Sequence, residues 1–146
     1  MKGYERYLND KTKRHVAFDT EPTGLNPWRG GRIIEVGAVA IEKGLMGEEF
    51  HRLIDIGRPI PKAASRIRGI AAEMLMGQPK SDEVLKTLCQ FTAKGILVAH
   101  NADFDIGFLR YENSRFGQSL PNRGFATPLI PDRTGYPPKW LTIGKT

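Results

Sequence analysis

The sequence predicts a single α/β domain on a mixed sheet, an antiparallel three-strand meander continued by parallel strands, with helices on both faces. Three observations predict it. Three strand-like segments come first, a short apolar run at 15–19, a Val- and Ile-rich run at 32–41 and a less cleanly alternating segment at 49–55, with turn residues between them. Two segments with apolar residues at helical spacing follow, at 81–95 and 101–117. A buried-type run, 96–100, separates those two. A meander followed by strands alternating with helices packs as a sheet covered by helices, with ligands gathering at strand ends.

Each element has a local reason. HVAFD at 15–19 is an apolar run that ends in an acid and meets Pro22 and Gly24, so it reads as a core strand entering a loop. RIIEVGAVAI at 32–41 is too continuously apolar and β-branched for a surface strand and belongs in the sheet interior. Lys43 and Gly44 read as a turn, which makes 49–55 the antiparallel partner. Ser81 reads as an N-cap, with Asp82 and Glu83 in a first turn where the helix dipole favours acids. Val84, Leu85, Leu88 and Phe91 then recur at helical spacing up to Gly95. Asn101 is placed to cap a second helix, whose stripe of Phe104, Phe108, Leu109, Tyr111 and Phe116 ends at Gly117. Beyond it Pro121, Pro128, Pro131, Pro137 and Pro138 forbid a long helix.

Composition bounds the function class. At 146 residues and 40% apolar, the chain has room for one real core. No run approaches the roughly 18 apolar residues of a membrane span, and the start leads into charge rather than an apolar signal core. The expectation is a soluble, cytoplasmic protein with no membrane partner. One cysteine, Cys89, builds neither a disulfide framework nor a thiolate zinc site and reads as a small buried hydrophobe on a helix. The formal charge is +6, yet residues 15–116 hold 13 basic and 13 acidic side chains. The excess sits at the two ends, so net charge alone establishes no nucleic-acid partner.

The residues able to do chemistry fall in two groups. Asp19 and Glu21 are two apart at a strand end, where alternation points both carboxylates to one side and Thr20 to the other. An oxygen-only pair held that close calls for a cation, and Mg²⁺ or Mn²⁺ suits it. Gly24 would let a phosphate backbone approach, and Leu25 offers an apolar edge for a base. The second group is HNADFD at 100–105: Asp105 falls in the first turn of the helix and borders its apolar stripe, so its carboxylate needs a partner. Asp103 reads as a first-turn acid only.

In this order, DTEPTGL at 19–25, RIIEVGAVAIEKG at 32–44, IRGIAAEM at 67–74 and VAHNADFDIGFL at 98–109 resemble the DnaQ-like (DEDD superfamily) 3′-to-5′ exonucleases, over residues 15–127. The resemblance implies a ribonuclease H-like fold at 15–127, preceded by a basic lead at 1–14 and followed by a Pro-rich tail at 128–146. It implies that Asp19, Glu21 and Asp105 are catalytic and ligate two Mg²⁺ or Mn²⁺ ions, which activate a water and stabilise the leaving 3′ oxygen. It makes Thr23, Gly24 and Leu25 the lining of the terminal nucleotide and has His100 and Asn101 brace the site. Single-stranded DNA or RNA 3′ ends are the implied partners, and a polymerase or a second copy could cover the domain.

The sequence departs from that pattern. The family ends in a helix bearing a general-base His and, five residues later, a fourth Asp. Here the histidines are His15, His51 and His100, none after Asp105, and Asp132 is the only later acid. PKWLTI at 138–143 resembles the segment before that helix, so the domain is expected to be C-terminally incomplete and its activity impaired. Pro22 stands where Thr is usual, Arg68 where His is common, and Ala126 and Pro128 replace residues of an Asp-Thr-Leu stretch. An alternative is a catalytically dead module that grips nucleic-acid ends or a polymerase. A phosphatase with Asp19 as nucleophile also fits acid-x-acid followed by Thr and Gly, but Glu21 and the second motif argue against it.

Overall fold

The computed structural model describes residues 12–93 and 95–120, and the backbone of a last strand at 125–126. Five strands form one sheet in the order β3-β2-β1-β4-β5. β1 (His15–Pro22) is central: β2 (Ile33–Glu42) pairs with it antiparallel and β4 (Ile96–Val98) parallel. β3 (Leu45–Leu53) completes the meander, and β5 (Phe125–Ala126) runs parallel to β4. Between the strands lie a 3₁₀ turn (Pro27–Arg29) and four helices: α1 (Lys62–Arg68), α2 (Ala72–Leu75), α3 (Ser81–Thr92) and α4 (Ala102–Arg115).

The meander follows from its turn. Lys43 and Gly44 both take positive φ, 53° and 75°, the backbone twist that matches two flanking strands across a two-residue loop. Leu45 therefore pairs directly with Glu42, and β3 begins four residues before the expected 49 and ends at Leu53 rather than 55. One face of the sheet buries Val16, Phe18, Val36 and Ala38 against Val84, Leu85 and Leu88 of α3 and Ile106, Phe108 and Leu109 of α4. A smaller cluster packs Ile34 against Ile70 and Leu75 from the α1–α2 segment. The expected layering is thus present.

Three local expectations need correction. Ser81 does not cap α3: Lys80 holds the cap position without a side-chain bond, and Ser81 is the first helical residue, its hydroxyl facing the Arg32 guanidinium at 3.2 Å. Asn101 stands at the cap of α4 but its side chain makes no capping bond, and the Asp105 N–H is met by the Asn101 carbonyl. Phe116, expected in the buried stripe, lies past the last helical turn and is 40% exposed. Cys89 is half-buried, and burial raises its thiol pKa. The Pro-rich tail and most of the basic lead fall outside the described residues.

Arg32 joins three parts of the domain. Its backbone N–H donates to the Thr23 hydroxyl and its carbonyl accepts from the Thr23 N–H, which closes the loop between β1 and β2. Its side chain donates from Nε to Glu112 of α4 at 2.7 Å and from Nη2 to Ser81 of α3. Glu112 is 1% exposed, and the same carboxylate oxygen also accepts from the Ile33 N–H. A buried charge stripped of its partner is costly. Arg32→Met is expected to lower unfolding free energy by about 3–5 kcal/mol, measured by urea denaturation, with Arg32→Met/Glu112→Leu recovering most of the loss. A single variant within about 0.5 kcal/mol of wild type, the usual range for inconsequential surface changes, would show that the pair does not hold the elements together.

Candidate active site

Asp19 and Glu21 lie in β1 itself, which runs regularly through both residues until its register steps between Glu21 and Pro22. Strand alternation therefore puts the two acids on one face and Thr20 on the other. On that other face the Thr20 hydroxyl donates to Asp105 Oδ1 at 2.6 Å. Asp105 comes from the first turn of α4, which β4 delivers alongside β1. The second motif is thereby brought to the first at the carboxyl ends of two adjacent parallel strands, where open α/β sheets bind ligands.

Asp105 is 6% exposed. Its pKa is raised to about 6, first by burial and then by the charges of Asp19 and Glu21, against the lowering effect of the Thr20 hydroxyl. The three carboxylates of the motifs therefore act on one another, and Asp105 carries the electrostatic cost. A protein cation already stands at this group: Arg68 Nη1 lies 2.8 Å from Glu21 Oε2. The pair is partly shielded, the Arg68 side chain being 29% and the Glu21 side chain 10% exposed.

Hard oxygen donors with mutual repulsion fit a divalent cation in chemistry and in charge. Convergence is the part that is not built in advance. Among the described residues no three His, Cys, Asp or Glu side chains gather as a metal-holding group. Glu21 is turned to Arg68 and Asp105 to Thr20, so each of these carboxylates has taken a protein partner. The expected three-carboxylate ligand set is thus present as neighbours but not preassembled.

The loop that follows β1 carries Thr23, Gly24 and Leu25. Thr23 is held through Arg32 by both its N–H and its hydroxyl. A Cβ at Gly24 would meet only the Gly31 Cα, at 3.8 Å, so packing within the chain does not require glycine there. Gly31 is the opposite case: a Cβ would sit 2.8 Å from the Asn26 carbonyl oxygen. Leu25 is 80% exposed. His100 and Asn101 are exposed at the junction of β4 and α4, beside the turn that carries Asp105.

Several contributors were not legible as site residues. Arg68 reaches Glu21 from α1, 47 positions away, and the sequence marked it only as standing where His is common in the family. Glu112 and Arg32 could have been suspected: an acid four residues after Phe108 falls on the apolar stripe, and an arginine opens an otherwise apolar strand.

Comparison with known proteins agrees with this arrangement. The exonuclease family model RNase_T matches residues 16–135. The chain is 40% identical over 117 residues to a DNA polymerase III subunit epsilon-like protein of Rhodobacter capsulatus, covering 79% of this chain and 17% of that protein. It is 42% identical over 102 residues to the DNA polymerase III subunit epsilon of Rickettsia typhi, covering 69% of this chain and 44% of that one. The chain therefore spans less than half the length of these relatives. Among solved structures, E. coli exonuclease I in complex with a dT13 oligonucleotide shares the fold at a TM-score of 0.68 and 15% identity, over 79% of this chain and 28% of that one. Among the described residues no helix is long and apolar enough to cross a membrane. With the motifs in order, the ribonuclease H-like sheet beneath them and a family match over most of its length, the chain belongs to the DnaQ-like exonuclease family.

Proposed function

We propose that this chain is a divalent-metal-dependent 3′-to-5′ exonuclease domain acting on the ends of single-stranded nucleic acid. The observation that carries the reading is Asp105, a buried carboxylate whose pKa is raised by burial and by the two acids of the β1 motif. Asp19, Glu21 and Asp105 would hold Mg²⁺ or Mn²⁺, two ions when fully loaded. Bound there, such ions supply charge neutralisation at the attacked phosphodiester and a water acidic enough to ionise near neutral pH.

The chain's own residues set the rest. Thr23, fixed by Arg32, presents the loop to the terminal nucleotide. Gly24 leaves room for its backbone, and exposed Leu25 offers an apolar surface to its base. His100 and Asn101 flank the turn that carries Asp105. A cation at Glu21 would compete with Arg68 for its carboxylate, and a guanidinium displaced from it would lie beside the proposed phosphate site. The Arg68–Glu21 pair favours a second reading, a module that grips ends or a polymerase without turnover. Residues 15–127 are the proposed domain.

The deciding assay is a denaturing gel of 5′-labelled single-stranded DNA and matching RNA, incubated with excess protein and Mn²⁺ or Mg²⁺. A slow ladder shrinking from the 3′ end, absent for Asp105→Ala, is the expected outcome. A folded wild type that binds the strands and yields no ladder selects the binding-only reading.

Metal loading should depend on pH through Asp105. Its folded pKa of about 6 lies above the ordinary 3.8, so folding favours the protonated carboxyl. That contribution to stability is full below the ordinary value and is lost as pH rises through about 6. Without metal, the wild-type melting temperature is expected to fall relative to Asp105→Asn across this window. Mn²⁺ affinity should rise across the same window, because the ligand is the carboxylate. Parallel wild-type and Asp105→Asn curves would mean that Asp105 titrates as an ordinary surface acid.

Arg68 and the metal compete for Glu21. Arg68→Ala is expected to tighten Mn²⁺ binding several-fold, measured by electron paramagnetic resonance titration. Weaker binding would show instead that Arg68 holds Glu21 in its working position.

A further inference from the structure

A pocket of about 360 Å³ opens beside the nucleotide-facing loop. Thr23 and Gly24 form one wall, and Arg29, Arg58, Pro59 and Pro61 line the remainder with the two glycines at 30 and 31. No carboxylate among the described residues lines it. Arg14, Arg32, Arg68 and Lys80 each sit against a carboxylate, Glu42, Glu112, Glu21 and Asp55 respectively, whereas the lining of this pocket brings none to Arg29 or Arg58. Arg58 donates to the Gly30 carbonyl, which anchors its guanidinium at the pocket without neutralising it. Next to Arg29, on the same 3₁₀ turn, Trp28 is 71% exposed, its ring edge-on to Tyr111 at 5.5 Å.

Two guanidinium groups without a carboxylate beside them and an exposed indole, contiguous with the terminal-nucleotide loop, have the composition of a single-strand track. Cations follow the backbone and an aromatic face takes a base. We propose that the Arg29–Arg58 pocket is a second phosphate subsite, which holds the single strand immediately upstream of the terminal nucleotide with Trp28 stacking on a base there. The inference rests on the exonuclease reading, since it takes Thr23 and Gly24 as the terminal subsite. The subsite reads backbone charge and a base face, so it grips a strand of any sequence. It makes binding depend on length: a mononucleotide fills the first subsite alone, and a longer strand fills both.

The test is fluorescence anisotropy with 5′-fluorescein-dT10 in EDTA, so that no cleavage occurs, with unlabelled dTMP as competitor. Arg29→Ala is expected to weaken dT10 several-fold and Arg29→Ala/Arg58→Ala by about tenfold or more. The slope of log affinity against log salt should shrink by about 0.7 for each phosphate that the variant no longer neutralises. Trp28→Ala should weaken dT10 by about fivefold or more, the lower end of base-stacking effects. Competition by dTMP should stay within twofold throughout, as should dT10 binding by Lys86→Ala, which removes a cation from the exposed face of α3. Arg58→Lys keeps the charge and guards against a loop loosened by removal of the Gly30 hydrogen bond; it should retain most dT10 affinity. Unchanged dT10 binding in a folded double variant overturns the subsite while leaving the exonuclease reading standing. Equal weakening of dT10 and dTMP also overturns it, because the arginines would then belong to the terminal subsite. A wild type that binds neither dT10 nor dTMP removes the exonuclease reading and the subsite with it.

Discussion

The arrangement of the site depends on one buried ion pair. Arg32 immediately precedes β2, yet its side chain lies against Glu112 of α4 and Ser81 of α3, while its backbone clasps Thr23. The loop between β1 and β2 is thus fixed to the helix that carries Asp105. Replacing such a pair with apolar residues is often neutral or better for stability. Its value here is positional: a hydrophobic contact could fill the same space, but it would not set the loop's height against α4 through directed hydrogen bonds.

The carboxylates behave in the opposite way. Fold and strand pairing place Asp19, Glu21 and Asp105 within one another's fields, an arrangement that costs energy until a cation arrives. The chain relieves that cost with what it has. Arg68 neutralises Glu21, Thr20 bonds Asp105, and burial with the neighbouring charges raises the pKa of Asp105 to about 6. A site relaxed in this way is a poor template for a metal before binding. On the proposed metal-binding reading, an ion at Glu21 would compete with Arg68 for the carboxylate, which would tie affinity to a residue outside the proposed ligand set.

The legible parts of the sequence were those governed by short-range rules. β1, β2 and β4 were visible because their apolar, β-branched runs have no helical period, and α3 and α4 because Leu85, Leu88, Phe108 and Leu109 recur with one. The Lys43–Gly44 turn was visible too, but its two-residue geometry, which starts β3 at Leu45, was not. α1 and α2 went unread because seven and four residues are too few to establish a period between Pro61, Gly69 and Gly77. β5 escaped for the same reason, as two residues paired to β4 carry no pattern. The three candidate acids were singled out by their motifs. Their partners were not, because Arg68–Glu21 and Arg32–Glu112 join positions 47 and 80 apart, and a single sequence records no such pairing.

Charge shows the same divide between composition and placement. The net excess of +6 lies at the chain ends, and the central 15–116 stretch is balanced, which argues against a basic nucleic-acid surface if charges are only counted. Folding changes the count that matters. Pairing removes Arg32, Arg68 and Lys80 from the unneutralised set, along with the acids they meet, and leaves Arg29 and Arg58 together in a pocket where no described residue brings a carboxylate. A domain can thus be neutral over most of its length and still present a local positive potential beside the loop between β1 and β2. Over distances shorter than the roughly 8 Å Debye length of physiological salt, that local arrangement outweighs the net charge.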